Sequence, residues 1–381
     1  MEIRVERDAL VDAISWVSRT LPLRPTNAVL RNVLVSVDTS STKPLVFTTF
    51  DGDSLSDIHV NADIDEPGKV LISGQLLTTV ARILPNAPVT ISIDENTATI
   101  RCGRAEFQLP VAAASSFPHL PAMPAACGSI PGATLSTAIS QVAVAAGKSL
   151  SRADLLGVFV EFHEAHLRFV ATDRHRLSLR DMGWSPATKG DGQNALVPAR
   201  AFSDISRALA SAETVSVHYD LASDEKKFIG FEANDRRAIT QIMGERFNEY
   251  EKIIPTEAAT TVRFDTADLL DAAKRVSTLA ANRTATVNNI RLEFSGTTIE
   301  LSASGEHSSA REALDGVING DSVPFIVFNA EYLIDGLSVV NAPVAQLSMT
   351  DSRKLAMLQG ASAHDADVIE NFKYLIAPSR L

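Results

Sequence analysis

The run Asn32-Val33-Leu34-Val35-Ser36-Val37 alternates apolar and polar side chains. The same alternation returns as Gly157-Val158-Phe159-Val160-Glu161-Phe162 and again as Asn289-Ile290-Arg291-Leu292-Glu293-Phe294. A strand with one face on a core and the other toward water reads this way. Each run occupies the same place in a longer pattern. Upstream lie a short alternating strand and an amphipathic helix, over 8–19, 134–146 and 268–280. Downstream a second helix covers 74–84, 199–209 and 329–337, and further strands close the pattern. The three copies span 4–121, 129–255 and 261–381. A period of about 125 residues is far above that of solenoid repeats, so each copy is expected to hold its own core.

Periodicity gives the secondary structure. In the first helix Leu10, Ile14 and Val17 share a face while Asp8, Asp12, Ser15 and Arg19 lie on others, the pattern of a helix on a sheet. The stretches 89–93 and 98–101, separated by Asp94-Glu95-Asn96, read as a hairpin; similar pairs are 214–219 with 227–232 and 344–349 with 354–358. Two helices and about eight strands per copy predict an α+β fold of three similar domains, each with two helices on antiparallel sheet and no βαβ rhythm. The expected domains are 1–125, 126–256 and 257–381. Proline-bearing linkers over 120–126 and 253–259 are expected to be extended and stiff, holding the domains in a fixed arc.

Composition excludes several classes. The chain has 381 residues, 45% hydrophobic and 21% charged, as an ordinary globular protein does. It lacks an apolar run of about 18 residues, and Met1-Glu2-Ile3-Arg4-Val5 reads as a charged strand; neither a membrane span nor a leader is expected, and the expected location is the cytoplasm. Cys102 and Cys127 are too few for a disulfide framework and are expected as packed thiols. A net charge of −11 argues against gripping nucleic acid, unless the cations are gathered on one wall.

Several motifs in order and register identify the chain as resembling the bacterial sliding clamp, the β subunit of DNA polymerase III. They are Arg24-Pro25-Thr26, Phe117-Pro118-His119-Leu120-Pro121, Ala171-Thr172-Asp173-Arg174-His175-Arg176-Leu177, Arg246-Phe247-Asn248-Glu249-Tyr250, Phe328-Asn329-Ala330-Glu331-Tyr332-Leu333 and the terminal Tyr374-Leu375-Ile376-Ala377-Pro378-Ser379-Arg380-Leu381. The resemblance covers essentially the whole chain. It implies a head-to-tail homodimeric ring of six domains, helices lining the hole, that encircles duplex DNA without reading sequence and gives a polymerase processivity. Phosphate contacts suit such sliding because they carry no base information. The DNA-facing candidates are Arg24, Arg82, Lys148 and Arg152, with Arg200, Arg207 and Lys274 on the helices. The last helix carries Glu331 and Asp335 and no base, which fits a positive wall poorly.

The resemblance also implies a pocket for short peptides of the polymerase III α subunit, the clamp loader, other polymerases and repair proteins. Carried over by motif, its lining includes Leu155, Thr172, Arg174, His175, Arg176, Leu177, Arg246 and Ile253 from the second domain. The third domain contributes Asn329, Tyr332, Pro378, Arg380 and Leu381. This sequence departs from the family at Arg174, where glycine is usual, at Asn248, where proline is common, and at Ala377 and Ser379, where a large aliphatic residue or methionine is usual. The expected floor is therefore shallower and more polar, and a diverged second clamp that escapes a clamp-directed inhibitor is an alternative reading.

An enzyme is the competing class. His163 and His166, three apart, fall at an expected hairpin turn, and no HExxH, CxxC, phosphate loop or nucleophile elbow occurs. No catalysis, metal or cofactor is expected; Asp51 and Asp173 occupy equivalent strand ends and are expected to be structural. A nonspecific acidic scaffold would share the three domains but not the ring.

Overall fold

All strand ladders among the described residues are antiparallel, and the three diagnostic runs are interior strands of three sheets. Asn32–Val37 lies between Leu45–Phe50 and Lys69–Ser73. Gly157–Phe162 lies between His166–Thr172 and Gln193–Pro198. Asn289–Ser295 lies between Thr298–Ser304 and Phe325–Asn329. Their alternation is the alternation of burial: Val33 and Val35, Val158, Val160 and Phe162, and Ile290 and Leu292 are all inside. The structure is a computed structural model that describes residues 1–149, 152–188, 192–221, 227–280, 288–304 and 308–379.

Six α-helices occur among the described residues: α1 (Arg7–Val17), α2 (Gly74–Ile83), α3 (Gly132–Ala143), α4 (Ala199–Ala208), α5 (Thr266–Ala280) and α6 (Ala330–Val339). These are the two helices per copy that the periodicity predicts, with ends differing by a few residues. At the end of α1 the chain tightens into a 3-10 turn, Ser18–Thr20, which the apolar period does not report. Helix α1 buries Leu10, Ala13, Ile14, Trp16 and Val17 against Leu45–Phe50 and Ser54–Val60. Trp16 Nε1 donates to Asp57 O at 2.8 Å, so the indole's one polar atom is not stranded. Helix α5 covers Asn289–Ser295, Thr298–Ser304 and Ser309–Asp315 in the same way.

The chain divides into two compact units, Met1–Leu135 with Trp184–Gly190 and Asp204–Ile242, and Ser136–Gly183 with Asp191–Ser203 and Met243–Leu381. In the first, a run of fourteen strands among the described residues carries the first copy into the second, because Ser54–Val60 pairs with Arg236–Gln241. Leu30, Phe50, Leu55 and Ile239 pack beneath this seam, joined by Phe117, just ahead of the first linker, and Met123 within it. Arg237 crosses it to Asp57 in a two-pronged ion pair of 2.8 and 3.0 Å.

In the second unit Arg176–Gly183 pairs with Phe372–Ile376, so the second and third copies also share a sheet. Below this seam lie Val170, Leu177, Leu179, Leu196 and Leu375 with Phe247 and Tyr250, which precede the second linker. Phe247 stacks on Phe159 at 4.8 Å, and the Tyr250 hydroxyl donates to Glu161. Aromatic side chains thus pin the chain just ahead of each linker. The second is not extended throughout, since Ile253 closes a 3-10 turn, Glu251–Ile253.

Candidate partner pocket and nucleic-acid interface

Between strands His166–Thr172 and Arg176–Gly183 the chain turns through Asp173, Arg174 and His175. Asp173 Oδ1 accepts from the backbone N–H of His175 and of Arg176, both at 3.0 Å. The Thr172 hydroxyl donates to Arg176 O at 2.6 Å and accepts from Arg174 N–H. The first copy repeats the device: Asp51 Oδ1 accepts from Asp53 N–H at 2.9 Å and Ser54 N–H at 2.6 Å. Both carboxylates are structural, as their equivalent positions predict. In the first copy the residue after the aspartate is Gly52, φ 112°; in the second it is Arg174, φ 79°. A side chain there costs about 1 kcal/mol or more that glycine does not pay.

Arg176 is the buried hub of this turn. It is 2% exposed, donates to Asp173 at 3.0 Å, Asp335 at 2.6 Å and the Tyr374 hydroxyl at 3.3 Å, and lies 4.6 Å over the Tyr332 ring. Burial works against its charge, but Tyr374, Asp335 and Asp173 outweigh it and hold the guanidinium above its usual range. Burial likewise raises the Tyr374 hydroxyl, which donates to Tyr332 O at 3.0 Å.

Two hollows flank this hub. One, of 240 Å³, is lined by Lys148, Arg152 and Leu155 with Arg174, His175, Arg176, Glu331 and Tyr332. The other, of 690 Å³, is lined by Phe325, Val327, Arg353 and Leu355 with Ala377, Pro378 and Ser379. They abut where Ala377 N–H donates to His175 O at 2.8 Å, and Ser379 N–H ties the segment to Val327 O. Ala377 and Ser379, short where a longer side chain is usual in the family, border the second hollow.

The expected pocket residues fall into three groups. Leu155, Arg174, His175, Arg176, Tyr332 and Pro378 line the hollows. Thr172 fastens the turn, Leu177 lies in the core beneath it, and Asn329 caps α6 by accepting from Glu331 N–H at 2.9 Å. Arg246 and Ile253 are exposed and are not among the lining of either hollow. Arg380 and Leu381 lie outside the described residues.

The DNA candidates are all at least partly exposed, but their charges are not equally free. Lys148 donates to Glu331 at 2.5 Å, which draws that carboxyl below its usual value. Arg152 pairs with Asp154 at 2.6 Å, Arg207 with Asp204 at 3.4 Å and Lys274 with Asp271 at 3.7 Å. Arg24, Arg82 and Arg200 have no ion pair among the described residues. Arg82 in the last turn of α2 complements the helix dipole, whereas Arg200 in the first turn of α4 opposes it and gains nothing from the helix. The acids of α6 are also explained: Glu331 answers Lys148, and Asp335 answers Arg176. Carboxylates four apart share a helix face, a signal available in the sequence. Arg353 carries no such signal, because only the fold brings it to the hollow.

His163 and His166 stack at 4.3 Å across the expected hairpin turn, and burial lowers the His166 pKa. No group of three or more metal-ligating side chains occurs among the described residues.

Models of the N-terminal, central and C-terminal domains of the DNA polymerase III β subunit match residues 1–121, 129–249 and 251–379. The chain belongs to the DNA polymerase III β-subunit family. It is 38% identical to the beta sliding clamp of Streptomyces coelicolor over 382 residues, all of both chains. It is 31% identical to the beta sliding clamp homolog GriR of Streptomyces muensis, across 100% of this chain and 99% of the relative. The crystal structure of a Pseudomonas aeruginosa sliding clamp bound to griselimycin superposes with a TM-score of 0.89 at 25% identity, across all of both chains. The β-subunit family is that of a polymerase processivity factor, and clamps bind DNA, polymerase and other partners. Among the described residues of this family member, no helix is long and apolar enough to cross a membrane.

Proposed function

We propose that two copies of this chain close head to tail around duplex DNA and tether a polymerase to it, with domains bounded at 1–125, 126–256 and 257–381. The observation that carries the reading is a pair of open sheet edges. Among the described residues, Ser309–Asp315 ends a four-stranded sheet and pairs only with Thr298–Ser304, and the 105–110 part of Ala105–Ala113 pairs only with Thr97–Cys102. Edges left open on the third and first domains suit pairing between copies, which would also protect them from promiscuous association. Arg24, Arg82 and Arg200, without an ion pair among the described residues, are offered to phosphates, and Lys148, Arg152, Arg207 and Lys274 exchange their internal carboxylates for them. The two hollows receive short partner peptides, including those of the polymerase, the loader and repair proteins, at about micromolar affinity so that partners exchange. The protein works at the nucleoid in the cytoplasm and catalyses nothing; the energy for ring opening comes from a separate loader.

Sedimentation tests the dimer: a species of about 82 kDa, twice the 40.9 kDa chain, is expected. Retention on circular but not on linearised DNA after loading tests enclosure. Equal loss from both overturns it.

Arg174 at the first hollow and the short Ala377 and Ser379 in the second favour one further reading, a diverged second clamp that escapes an inhibitor occupying this site. Griselimycin affinity decides it: binding as tight as to an ordinary clamp removes the reading.

A further inference from the structure

Among the described residues, the cations of the two hollows divide into answered and unpaired ones. Lys148 is answered by Glu331, Arg152 by Asp154, and Arg176 by Asp173 and Asp335. Arg174 on the first hollow and Arg353 on the second are exposed and have no ion pair among the described residues. On a protein of net charge −11, two exposed guanidinium groups with no ion pair among the described residues, beside adjoining cavities, form a local attractor for anions.

Arg174 adds a second observation. It stands at φ 79° in a turn whose counterpart in the first copy holds glycine, so the chain tolerates backbone strain there. The turn itself is fastened by Thr172 and Asp173 and does not require the guanidinium. Strain kept beside a cavity, with no structural return, points to a task for the side chain.

We propose that Arg174 and Arg353 select partner peptides carrying carboxylates on both sides of an apolar anchor, the anchor entering the second hollow. Phe325, Val327 and Leu355 give that hollow apolar walls, and Arg353 stands among them. A guanidinium takes a carboxylate through two parallel N–H bonds, which adds geometry to the attraction. The inference rests on the docking role proposed above and names the partner chemistry that role takes in this chain.

The test is a fluorescence-anisotropy titration of the full chain with three peptides sharing a Leu-Phe anchor, flanked on both sides by Asp, by Asn or by Lys. The Asp peptide is expected to bind roughly tenfold more tightly than the Asn peptide at low salt, with the Lys peptide weakest. That preference should shrink at high salt and fall by about half on a logarithmic scale in either Arg174→Gly or Arg353→Gln. The double variant should bind Asp and Asn peptides equally while keeping affinity for the anchor. Equal affinities in the unaltered chain would overturn the proposal. So would variants that lose DNA retention but keep the peptide ranking, because the cations would then serve phosphates. Binding of none of the three peptides would instead remove the docking role itself.

Discussion

Replacing Arg176 by methionine keeps the length and apolar bulk of the side chain and removes its charge, which isolates the work of the guanidinium. In the folded protein that group is 2% exposed and answers Asp173, Asp335 and the Tyr374 hydroxyl, at 3.0, 2.6 and 3.3 Å. Removing one member of a buried ion pair costs about 3–5 kcal/mol, chiefly because the partners stay behind uncompensated. Asp173 and Asp335 retain 15% and 28% exposure and can recover some hydration, so the lower end, about 3 kcal/mol, is expected. For a cooperative unit of this size each kcal/mol lowers the thermal midpoint by about 2–4 °C, giving a fall of about 6–12 °C. Because two units need not melt together, hydrogen exchange is the sharper assay. Leu177 and Leu375 face each other across the seam between the second and third copies, and their amides should exchange on the order of a hundredfold faster. A midpoint within about 2 °C of the parent, with those amides still protected, would refute the reasoning by showing that the acids are stable without their cation.

Arg237→Met removes the matching pair of the first unit; burial already raises the Asp57 carboxyl despite Arg237, so about 2 kcal/mol should be lost, read from the denaturant midpoint. Arg174→Gly should raise stability by about 0.5–1 kcal/mol, since relief at φ 79° exceeds the entropy glycine adds to the unfolded chain; a lower thermal midpoint would contradict it. Gly336→Ala would set a methyl group 2.5 Å from Tyr374 Cε1, in a buried contact between α6 and the last strand, and should cost about 1–3 kcal/mol by calorimetry. Lys148 lowers the Glu331 pKa in the fold, so the pair stabilises above the ordinary carboxylate value of 4.5 and loses that effect as pH falls through the depressed folded value. Both groups are well exposed, so Lys148→Met should flatten the acid limb of the stability curve by only a few tenths of a kcal/mol.

What the sequence makes legible is local. The period-2 runs, the helix faces and the turn at His163 to His166 each depend on neighbours along the chain, and each is found where the spacing predicts. The seams do not work this way. Nothing in Ser54–Val60 marks it as the partner of Arg236–Gln241, nor Arg176–Gly183 as the partner of Phe372–Ile376, because a ladder needs only exposed backbone groups and an apolar face. Traces exist in hindsight: Phe117, Phe247 and Tyr250 are aromatic residues just ahead of the linkers, where exposed apolar bulk would be costly unless a core receives it.

The same distinction governs the site. Arg174, Ala377 and Ser379 stand out as departures from a family pattern, but whether a short side chain raises a floor or opens a cavity depends on what stands behind it. Here Phe325, Val327 and Leu355 come from other strands and loops and wall a hollow of 690 Å³ that Ala377 and Ser379 border. Charge follows the same logic. Counting cations along the chain treats Lys148, Arg174 and Arg176 alike, whereas the fold neutralises the first and third with α6 and leaves the second exposed to solvent. The acids of α6 that fit a positive wall poorly are therefore what makes Arg174 distinctive: by answering the neighbouring cations, they leave it with Arg353 as the groups that can discriminate between ligands.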